Sequence, residues 1–241
     1  MKKTSILEEN KKSIILLDTV VPAQNNQSKV SIVGTGFIIS EDGKFVTCAH
    51  VYNQIPGNER QYLGAKVPIE TDNKGITAYK RYKVEFLDVD TENDMALMKI
   101  KPEDKDVFEP IKKFGDSESA KEGDDVVFAG YPLALELVVL GFGITLSLNH
   151  CIISAVKRRQ VDGSLHFFMV DTHINNGSSG SPVFLIETGE IIGMAAGKIS
   201  AKIPSPNGGQ FDIPANMGIC KPAKYIINLI EKDKSLSKQR R

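Results

Sequence analysis

The interpretation of this 241-residue chain depends on the stretch NNGSSGSPVF, residues 175–184. Three serines lie among two glycines, ahead of a proline and an apolar run typical of a strand. Serine beside glycine is typical of a surface turn. A serine flanked by glycine is also how some enzymes present a nucleophile. The stretch alone therefore leaves open whether it is a turn or an active-site loop and, in the second case, which serine acts.

A histidine and an aspartate elsewhere in the chain extend the second interpretation. His50 lies near the end of KFVTCAHV (44–51), a strand that runs into a turn, and Asp94 lies near the start of NDMALMKI (93–100), just before an apolar strand. Alone, each is typical of a structural histidine or a capping acid. Hydrolysis of an amide by serine requires a hydroxyl, a base with a pKa near neutrality and a carboxylate that orients the base. The chain supplies these groups in the order His50, Asp94, serine loop.

Strand patterns dominate the rest of the chain, which predicts an all-β fold. β-Branched and aromatic residues recur at 30–40, 44–48, 79–87, 95–100, 126–129, 137–156, 167–170, 182–185 and 190–196. One helix is predicted at 222–232, where Ile226, Ile227, Leu229 and Ile230 form an apolar face. The charged, turn-rich residues 101–125 separate two strand-rich halves. Long surface loops are expected at 53–75 and 204–209.

These motifs resemble those of the trypsin/chymotrypsin superfamily, and more closely those of its HtrA/Deg-type protease domain. TCAHV (47–51) is similar to the histidine motif, NDMALM (93–98) to the aspartate motif and GSSGSP (177–182) to the nucleophile loop. VGTGFII (33–39) and VVFAGYP (126–132) resemble two connecting segments. The resemblance covers roughly residues 30–222. It implies a chymotrypsin-like fold, that is, two six-stranded antiparallel β-barrels with a C-terminal α-helix and an active site in the cleft between the barrels.

The resemblance also implies domain limits. The expected N-terminal barrel spans 12–110 and carries His50 and Asp94, a linker spans 111–121, and the C-terminal barrel spans 122–222 and carries the serine loop. A helix at 222–232 and a basic tail at 233–241 follow. No PDZ domain is expected in this chain.

The family pattern Gly-x-Ser-Gly-x-Pro assigns the roles. It makes Ser179 the nucleophile, with His50 as its base and Asp94 as the acid that orients the base. The oxyanion hole is expected from the backbone of Gly177, Ser178 and Ser179. The run GSPVF (180–184) also resembles that of glutamyl endopeptidases of the staphylococcal type.

Substrate specificity is less well determined by the sequence. By the resemblance, the substrate-binding pocket is expected to involve His173, Ala195, Ala196, Gly197, Gly218 and Cys220. His173 has two interpretations: it binds an acidic or polar substrate side chain, or it faces the core and is hydrogen-bonded there.

Composition limits the partners. Thirty basic and thirty acidic side chains cancel, so neither nucleic acid nor a membrane is expected as a partner. A protein or peptide substrate and a regulatory protein partner are expected, and Ser–His–Asp chemistry requires no metal or organic cofactor. Charged residues interrupt the N-terminal apolar run, which argues against a signal peptide. With three widely spaced cysteines, this predicts a cytoplasmic location.

The predicted function is therefore a serine endopeptidase that is restricted or regulated. The alternative is a catalytically latent protein or pseudo-protease of the same fold that binds peptides in its cleft.

Overall fold

The computed structural model describes residues 1–23, 27–103, 106–205 and 208–239. Within them, the N-terminal half forms a closed barrel of six strands: β1 (Ile14–Pro22), β2 (Ser28–Ile38), β3 (Lys44–Cys48), β4 (Leu63–Thr71), β5 (Thr77–Asp90) and β6 (Met95–Ile100). The strands are joined in the order β1-β2-β3-β6-β5-β4, and each paired strand is antiparallel to its neighbour.

The C-terminal half of the described chain forms a second closed barrel of six strands: β7 (Asp125–Gly130), β8 (Ser147–Arg158), β9 (Leu165–Val170), β10 (Pro182–Leu185), β11 (Ile191–Pro204) and β12 (Gln210–Pro222). Their order is β10-β11-β12-β9-β8-β7, again with antiparallel pairing. The two barrels confirm the predicted all-β, chymotrypsin-like architecture.

Apolar side chains fill both barrels and the space between them. Phe37, Phe45 and Leu97 are fully buried in the first barrel. Their cluster continues into the second half of the chain through Met194 and Ala196 of β11. A closed barrel buries one face of each strand in its own interior, so the opposite face of β11 is free to pack against the first barrel. This shared core holds the two barrels together.

The prediction of a long surface loop at 53–75 is wrong, because these residues include a strand. A helix α1 (Lys3–Asn10) precedes β1, and a short helix α2 (Ala49–Asn53) follows β3. A 3-10 turn (Arg60–Tyr62) then leads into β4. The sequence of β4, LGAKVPIET, contains a proline and two charged residues. These residues are depleted in strands, and their presence conceals a strand that pairs with both β1 and β5.

The predicted strand at 137–156 is also only partly correct. Helix α3 (Ala134–Val139) occupies its beginning, and β8 starts only at Ser147. A continuous apolar run does not separate helix from strand by periodicity, which explains the error. The strands β1 and most of β12 were likewise not predicted. The predicted loop at 204–209 joins β11 to β12, and its residues 206 and 207 lie outside the described residues.

The C-terminal helix is longer than predicted. Helix α4 runs over Ala223–Gln239 and includes most of the expected basic tail, whose Arg240 and Arg241 lie outside the described residues. Its buried Ile226 and Leu229 join the shared core. The Lys232 ammonium lies 2.7 Å from the Asp88 carboxylate at the end of β5. The helix therefore connects the end of the chain to the first barrel. Among the described residues, no helix is long and apolar enough to cross a membrane.

Candidate active site

A histidine and an aspartate are paired at the edge of the first barrel. The backbone N–H of His50 donates to Asp94 Oδ1 at 2.8 Å, and the ring Nδ1 lies 2.7 Å from Asp94 Oδ2. An ionised carboxylate only accepts hydrogen bonds, so Nδ1 carries the proton. In the neutral ring, Nε2 is then free to accept one. The pair therefore presents a base whose tautomer and orientation are fixed by two contacts.

Asp94 itself is held in an uncommon backbone conformation. Its φ is +61°, in the left-handed region that aspartate tolerates better than most residues. Its carbonyl accepts the N–H of Ala49 at 3.1 Å. These contacts connect the turn between β5 and β6 to the start of α2, the element that carries His50.

Two glycines are sterically required in the serine loop. Gly177 has a φ of +90°, and a Cβ there would lie 2.3 Å from the carbonyl oxygen of Tyr131. Gly180 has a φ of +93°, and a Cβ there would lie 1.9 Å from the carbonyl oxygen of Thr35. Both distances are far below van der Waals contact. The glycines therefore allow the loop to lie directly against the backbone of neighbouring segments.

Thr35 is a buried residue that holds the serine loop in place. Its N–H donates to the Ser179 carbonyl at 2.8 Å, and its hydroxyl donates to the Gly177 carbonyl at 2.6 Å. The same hydroxyl accepts the N–H of Tyr131 at 3.1 Å. Sequence analysis missed this residue. The signal was its position in VGTGFII (33–39), where a hydroxyl stands between two glycines in an otherwise apolar strand.

Ser179 and His50 lie in the same cleft. The Ser179 hydroxyl donates to the carbonyl of Ala196 on β11 at 3.3 Å. The cleft has a volume of about 390 Å³. It is lined by Ile32, Val33, His50, Gln54, Ile174, Asn175, Asn176, Gly177, Ser179, Ala196, Gly197 and Lys198. The first barrel thus contributes the histidine and the second barrel the serine.

Of the three N–H groups at residues 177–179, two are available to a ligand and one is not. Within the described residues, the N–H groups of Gly177 and Ser179 have no hydrogen-bond acceptor. The N–H of Ser178 donates to the carbonyl of Asn175 at 3.0 Å, and Ser178 is buried. The prediction that Ser178 contributes to an oxyanion hole is therefore wrong. Gly177 and Ser179 remain as candidate donors.

The predicted substrate pocket is only partly assembled. Ala196 and Gly197 line the cleft, whereas Ala195 and Cys220 are fully buried in the core of the second barrel. Neither the Ala195 nor the Cys220 side chain is exposed, so neither can contact a ligand in the cleft. The prediction for Ala195 and Cys220 is therefore corrected.

His173 and Gly218 lie outside the lining of the cleft. The His173 ring Nδ1 is 3.5 Å from the Ala215 carbonyl oxygen, a long contact. A Cβ at Gly218 would meet the side chain of Ile174 at 2.7 Å. Gly218 therefore influences the cleft only by leaving room for the side chain of Ile174, which lines the cleft. Sequence analysis missed Gln54, Ile174, Asn175 and Asn176 as lining residues.

The three cysteines are free and buried. Burial raises the pKa of the Cys48 and Cys220 thiols, and burial together with the Asp171 charge raises the pKa of Cys151 to about 12. All three are therefore protonated near neutral pH, and none is a nucleophile.

Cys48 does belong to a group of potential metal ligands. Among the described residues, Cys48, His50 and Asp94 have ligand atoms that all lie within 4.8 Å of one another. However, the Cys48 Sγ contacts the Ala195 carbonyl at 3.4 Å, and the His50 ring is bonded to Asp94. Both groups have partners in the protein itself, so this arrangement does not require a metal.

Two antiparallel barrels, with a histidine–aspartate pair on one and a glycine-bounded serine on the other, define the class of two-barrel, chymotrypsin-like proteins. A family model described as "Trypsin-like peptidase domain" matches residues 34–194. The chain belongs to this family.

Similar proteins carry protease names. A "Probable periplasmic serine endoprotease DegP-like" from Halomonas elongata is 33% identical over 202 residues, covering 82% of this chain and 36% of that protein. "Serine protease HTR4" from Rattus norvegicus is 32% identical over 178 residues, covering 74% of this chain and 32% of that protein. The chain spans roughly a third of the length of these relatives. The crystal structure of Deg5 superposes with a TM-score of 0.64 at 17% identity, covering 95% of this chain and 94% of that one, which supports the fold alone.

The relatives correct one prediction. Several of them, from Halomonas elongata, Marinomonas and Chlamydia pneumoniae among others, are named periplasmic serine endoproteases. This finding contradicts the predicted cytoplasmic location.

Proposed function

We propose that this chain is a serine endopeptidase that forms an acyl-enzyme on Ser179. The observation that carries the proposal is that a His50–Asp94 pair with a fixed tautomer shares one cleft with a serine held between two obligatory glycines. Family membership supports the same chemistry.

Each group has a defined role in the proposed reaction. The Ser179 hydroxyl leaves the Ala196 carbonyl, gives its proton to His50 Nε2, and its oxygen attacks the substrate carbonyl. His50 then gives that proton to the leaving amine as the C–N bond breaks. Water, deprotonated by the same ring, attacks the resulting ester. The acyl C–O bond then breaks and the Ser179 oxygen leaves with that proton, which restores the hydroxyl. Asp94 keeps Nδ1 protonated and stabilises the imidazolium that forms in between.

The oxyanion of the tetrahedral intermediate would be bound by the N–H groups of Gly177 and Ser179. A donor of this kind lowers the barrier by on the order of 3–4 kcal/mol, about a hundred- to a thousandfold in rate. The hydroxyl of Thr35 and the N–H of Thr35 fix the two carbonyls of these same residues. The N–H of Gly177 shares a peptide plane with the Asn176 carbonyl, which accepts the Leu133 N–H at 2.8 Å. The N–H of Ser179 shares one with the Ser178 carbonyl, which accepts the Ser181 N–H at 3.0 Å, so both donors are oriented before the reaction.

We expect the substrate to be a protein segment or peptide, and the names of the relatives favour the periplasm as the site of action. Lys198, Asn175 and Asn176 line the cleft, and none of the described residues that line it is acidic. A regulatory partner remains a prediction.

Turnover of an unstructured protein such as casein, and of peptides derived from it, tests the proposal. Ser179→Ala is expected to abolish cleavage. Ser181→Ala is the matched control, since the Ser181 hydroxyl is buried and has no hydrogen-bond partner among the described residues. Its removal should leave cleavage close to wild type. Equal activity in wild type and Ser179→Ala would reject the proposal.

A further inference from the structure

An arginine of the second barrel is hydrogen-bonded to the turn that presents Asp94 on the first barrel. Arg159 directly follows β8, and its guanidinium reaches the turn between β5 and β6. Its Nη2 donates to the side-chain oxygen of Asn93 at 2.8 Å, and its Nη1 donates to Glu92 Oε1 at 2.6 Å. Asn93 directly precedes Asp94 in the chain. The barrel that carries Ser179 therefore also contacts the residue beside the acid of the other barrel.

The backbone of Arg159 is fixed at the base of a closed turn. Its N–H donates to the Ser164 carbonyl at 2.9 Å, and its carbonyl accepts the N–H of Gly163 at 2.9 Å. These bonds close the connection between β8 and β9. The Arg159 side chain is only 25% exposed. Because the guanidinium extends from a fixed base and is mostly covered, ordering it against Asn93 costs less conformational entropy than ordering a free surface arginine.

Asn93 is held at both ends of its side-chain amide. It is buried, its Nδ2 donates to Asp90 Oδ2 at 2.6 Å, and its backbone N–H donates to Asp90 Oδ1 at 3.1 Å. A carboxylate only accepts hydrogen bonds and a guanidinium only donates them, so Asp90 and Arg159 together determine which way the amide points. Removal of Arg159 would leave the amide oxygen of a buried residue without this donor.

The backbone of Asp94 needs this kind of support. Its φ of +61° lies in the left-handed region, which costs a residue with a side chain about 1 kcal/mol or more and persists only where its surroundings hold it. The carboxylate lies 2.7 Å from His50 Nδ1, so a rotation of this backbone would move it away from the ring. The N–H of Ala49 holds the carbonyl of Asp94 on one side, and Asn93 holds the chain on the other.

We propose that Arg159 is a positioning residue that acts through Asn93 to hold Asp94 in the orientation that His50 requires. The inference rests on the proposed function, in which His50 is the base and Asp94 orients it. The contact crosses from one barrel to the other, so the alignment of the histidine–aspartate pair depends on how the barrels are docked. The ion pair with Glu92 is not the source of the effect, because Glu92 is 71% exposed and exposed pairs contribute little.

The test compares Arg159→Met, which removes both hydrogen bonds, with two controls. Arg158→Met removes the same charge from the neighbouring residue, whose guanidinium pairs with Glu118 at 2.9 Å. Glu92→Gln removes only the charge of the exposed partner. On one peptide, the kcat of Arg159→Met is expected to fall by roughly tenfold to a hundredfold, because a small misplacement of a catalytic group has a cost of this size.

The KM of Arg159→Met should change little, because the acid contacts the base and not the substrate. Both controls should keep kcat near the wild-type value. A wild-type kcat in Arg159→Met, a change confined to KM, or an equal fall in kcat in either control would overturn the proposal.

Proton NMR separates this proposal from the proposed function. The proton on His50 Nδ1 that is hydrogen-bonded to Asp94 gives a downfield signal, which is assigned by its loss in His50→Asn. This signal should shift or broaden in Arg159→Met and stay unchanged in Arg158→Met, whether or not the protein turns over substrate. An inactive wild type whose signal responds to Arg159→Met would reject only the endopeptidase. An active protein whose signal is the same in Arg159→Met would reject only the role of Arg159. Should Arg159→Met fail to fold, Arg159→Gln removes the same guanidinium, keeps a polar side chain and is judged by the same outcomes.

Discussion

Thr35→Val should weaken both the fold and the proposed catalysis, through the two hydrogen bonds of one hydroxyl. Valine has nearly the same shape as threonine, so the packing of this fully buried residue is largely preserved. The change leaves the Gly177 carbonyl and the Tyr131 N–H without the partner they have at 2.6 and 3.1 Å. An unsatisfied buried group costs about 1–3 kcal/mol. The Tyr131 N–H is buried and the Gly177 carbonyl only partly so, so the free energy of unfolding should fall by about 1–3 kcal/mol from Tyr131 and by a smaller amount from Gly177.

The catalytic consequence follows from the position of Gly177. Its carbonyl is fixed by Thr35, and its N–H is one of two proposed oxyanion donors. A displacement of the donors by about 1 Å is enough to cost roughly a hundredfold in rate. We therefore expect kcat to fall by about that factor, with a much smaller change in KM, because the contact matters more in the transition state than in the bound substrate.

Urea unfolding and steady-state kinetics on one peptide measure the two effects. Thr35→Ser is the matched control, since it keeps the hydroxyl and removes only the methyl group, so kcat should stay near the wild-type value. If the kcat of Thr35→Val equals that of the wild type, whatever its measured stability, the argument that this hydroxyl orients the loop is refuted.

Two further predictions concern the loop and the helix. Gly177→Ala should abolish turnover while Gly57→Ala, where a Cβ meets no atom within 4 Å, should not; equal peptide-cleavage rates would show that the loop tolerates a Cβ beside the Tyr131 carbonyl. Burial raises the pKa of Asp88, but the Lys232 ammonium and the Val89 N–H outweigh burial and hold this pKa below its ordinary value. The ion pair therefore stabilises the fold above the ordinary pKa of aspartate, and this stabilisation is lost as the pH falls through the lowered pKa. Asp88→Asn should therefore lower the free energy of unfolding by up to about 1 kcal/mol at pH 7 and by progressively less below pH 4 in urea titrations, and a difference that does not shrink in acid would contradict the ion pair as its source.

The sequence predicts the positions of His50, Asp94 and Ser179 because each lies in a local motif whose residue types reflect a chemical role. The sequence also predicts the positions of Gly177 and Gly180, because only glycine fits a left-handed backbone so close to a neighbouring carbonyl. The two barrels follow from the resemblance more than from the strand pattern. That pattern missed β4, whose Pro68 and charged residues lie in a strand with partly exposed positions.

Other features depend on geometry that a sequence does not encode locally. The register of β11 against β12 shifts between Ala195 and Gly197, and this irregularity determines which of three consecutive small residues face the cleft. The N–H of Ser178 is unavailable because the Asn175 carbonyl folds back onto it. Thr35 reaches the serine loop from a strand far away in the chain, so only the assembled barrels show its connection to Gly177.

Mass spectrometry of the protein after reaction with a fluorophosphonate tests the central claim most directly. A fluorophosphonate phosphonylates a serine, with loss of fluoride, only where a base activates its hydroxyl. We predict one adduct, located by peptide sequencing at Ser179, present in Ser181→Ala and absent in Ser179→Ala and His50→Asn. No adduct on the folded wild-type protein, or an adduct that persists in Ser179→Ala, would contradict the account.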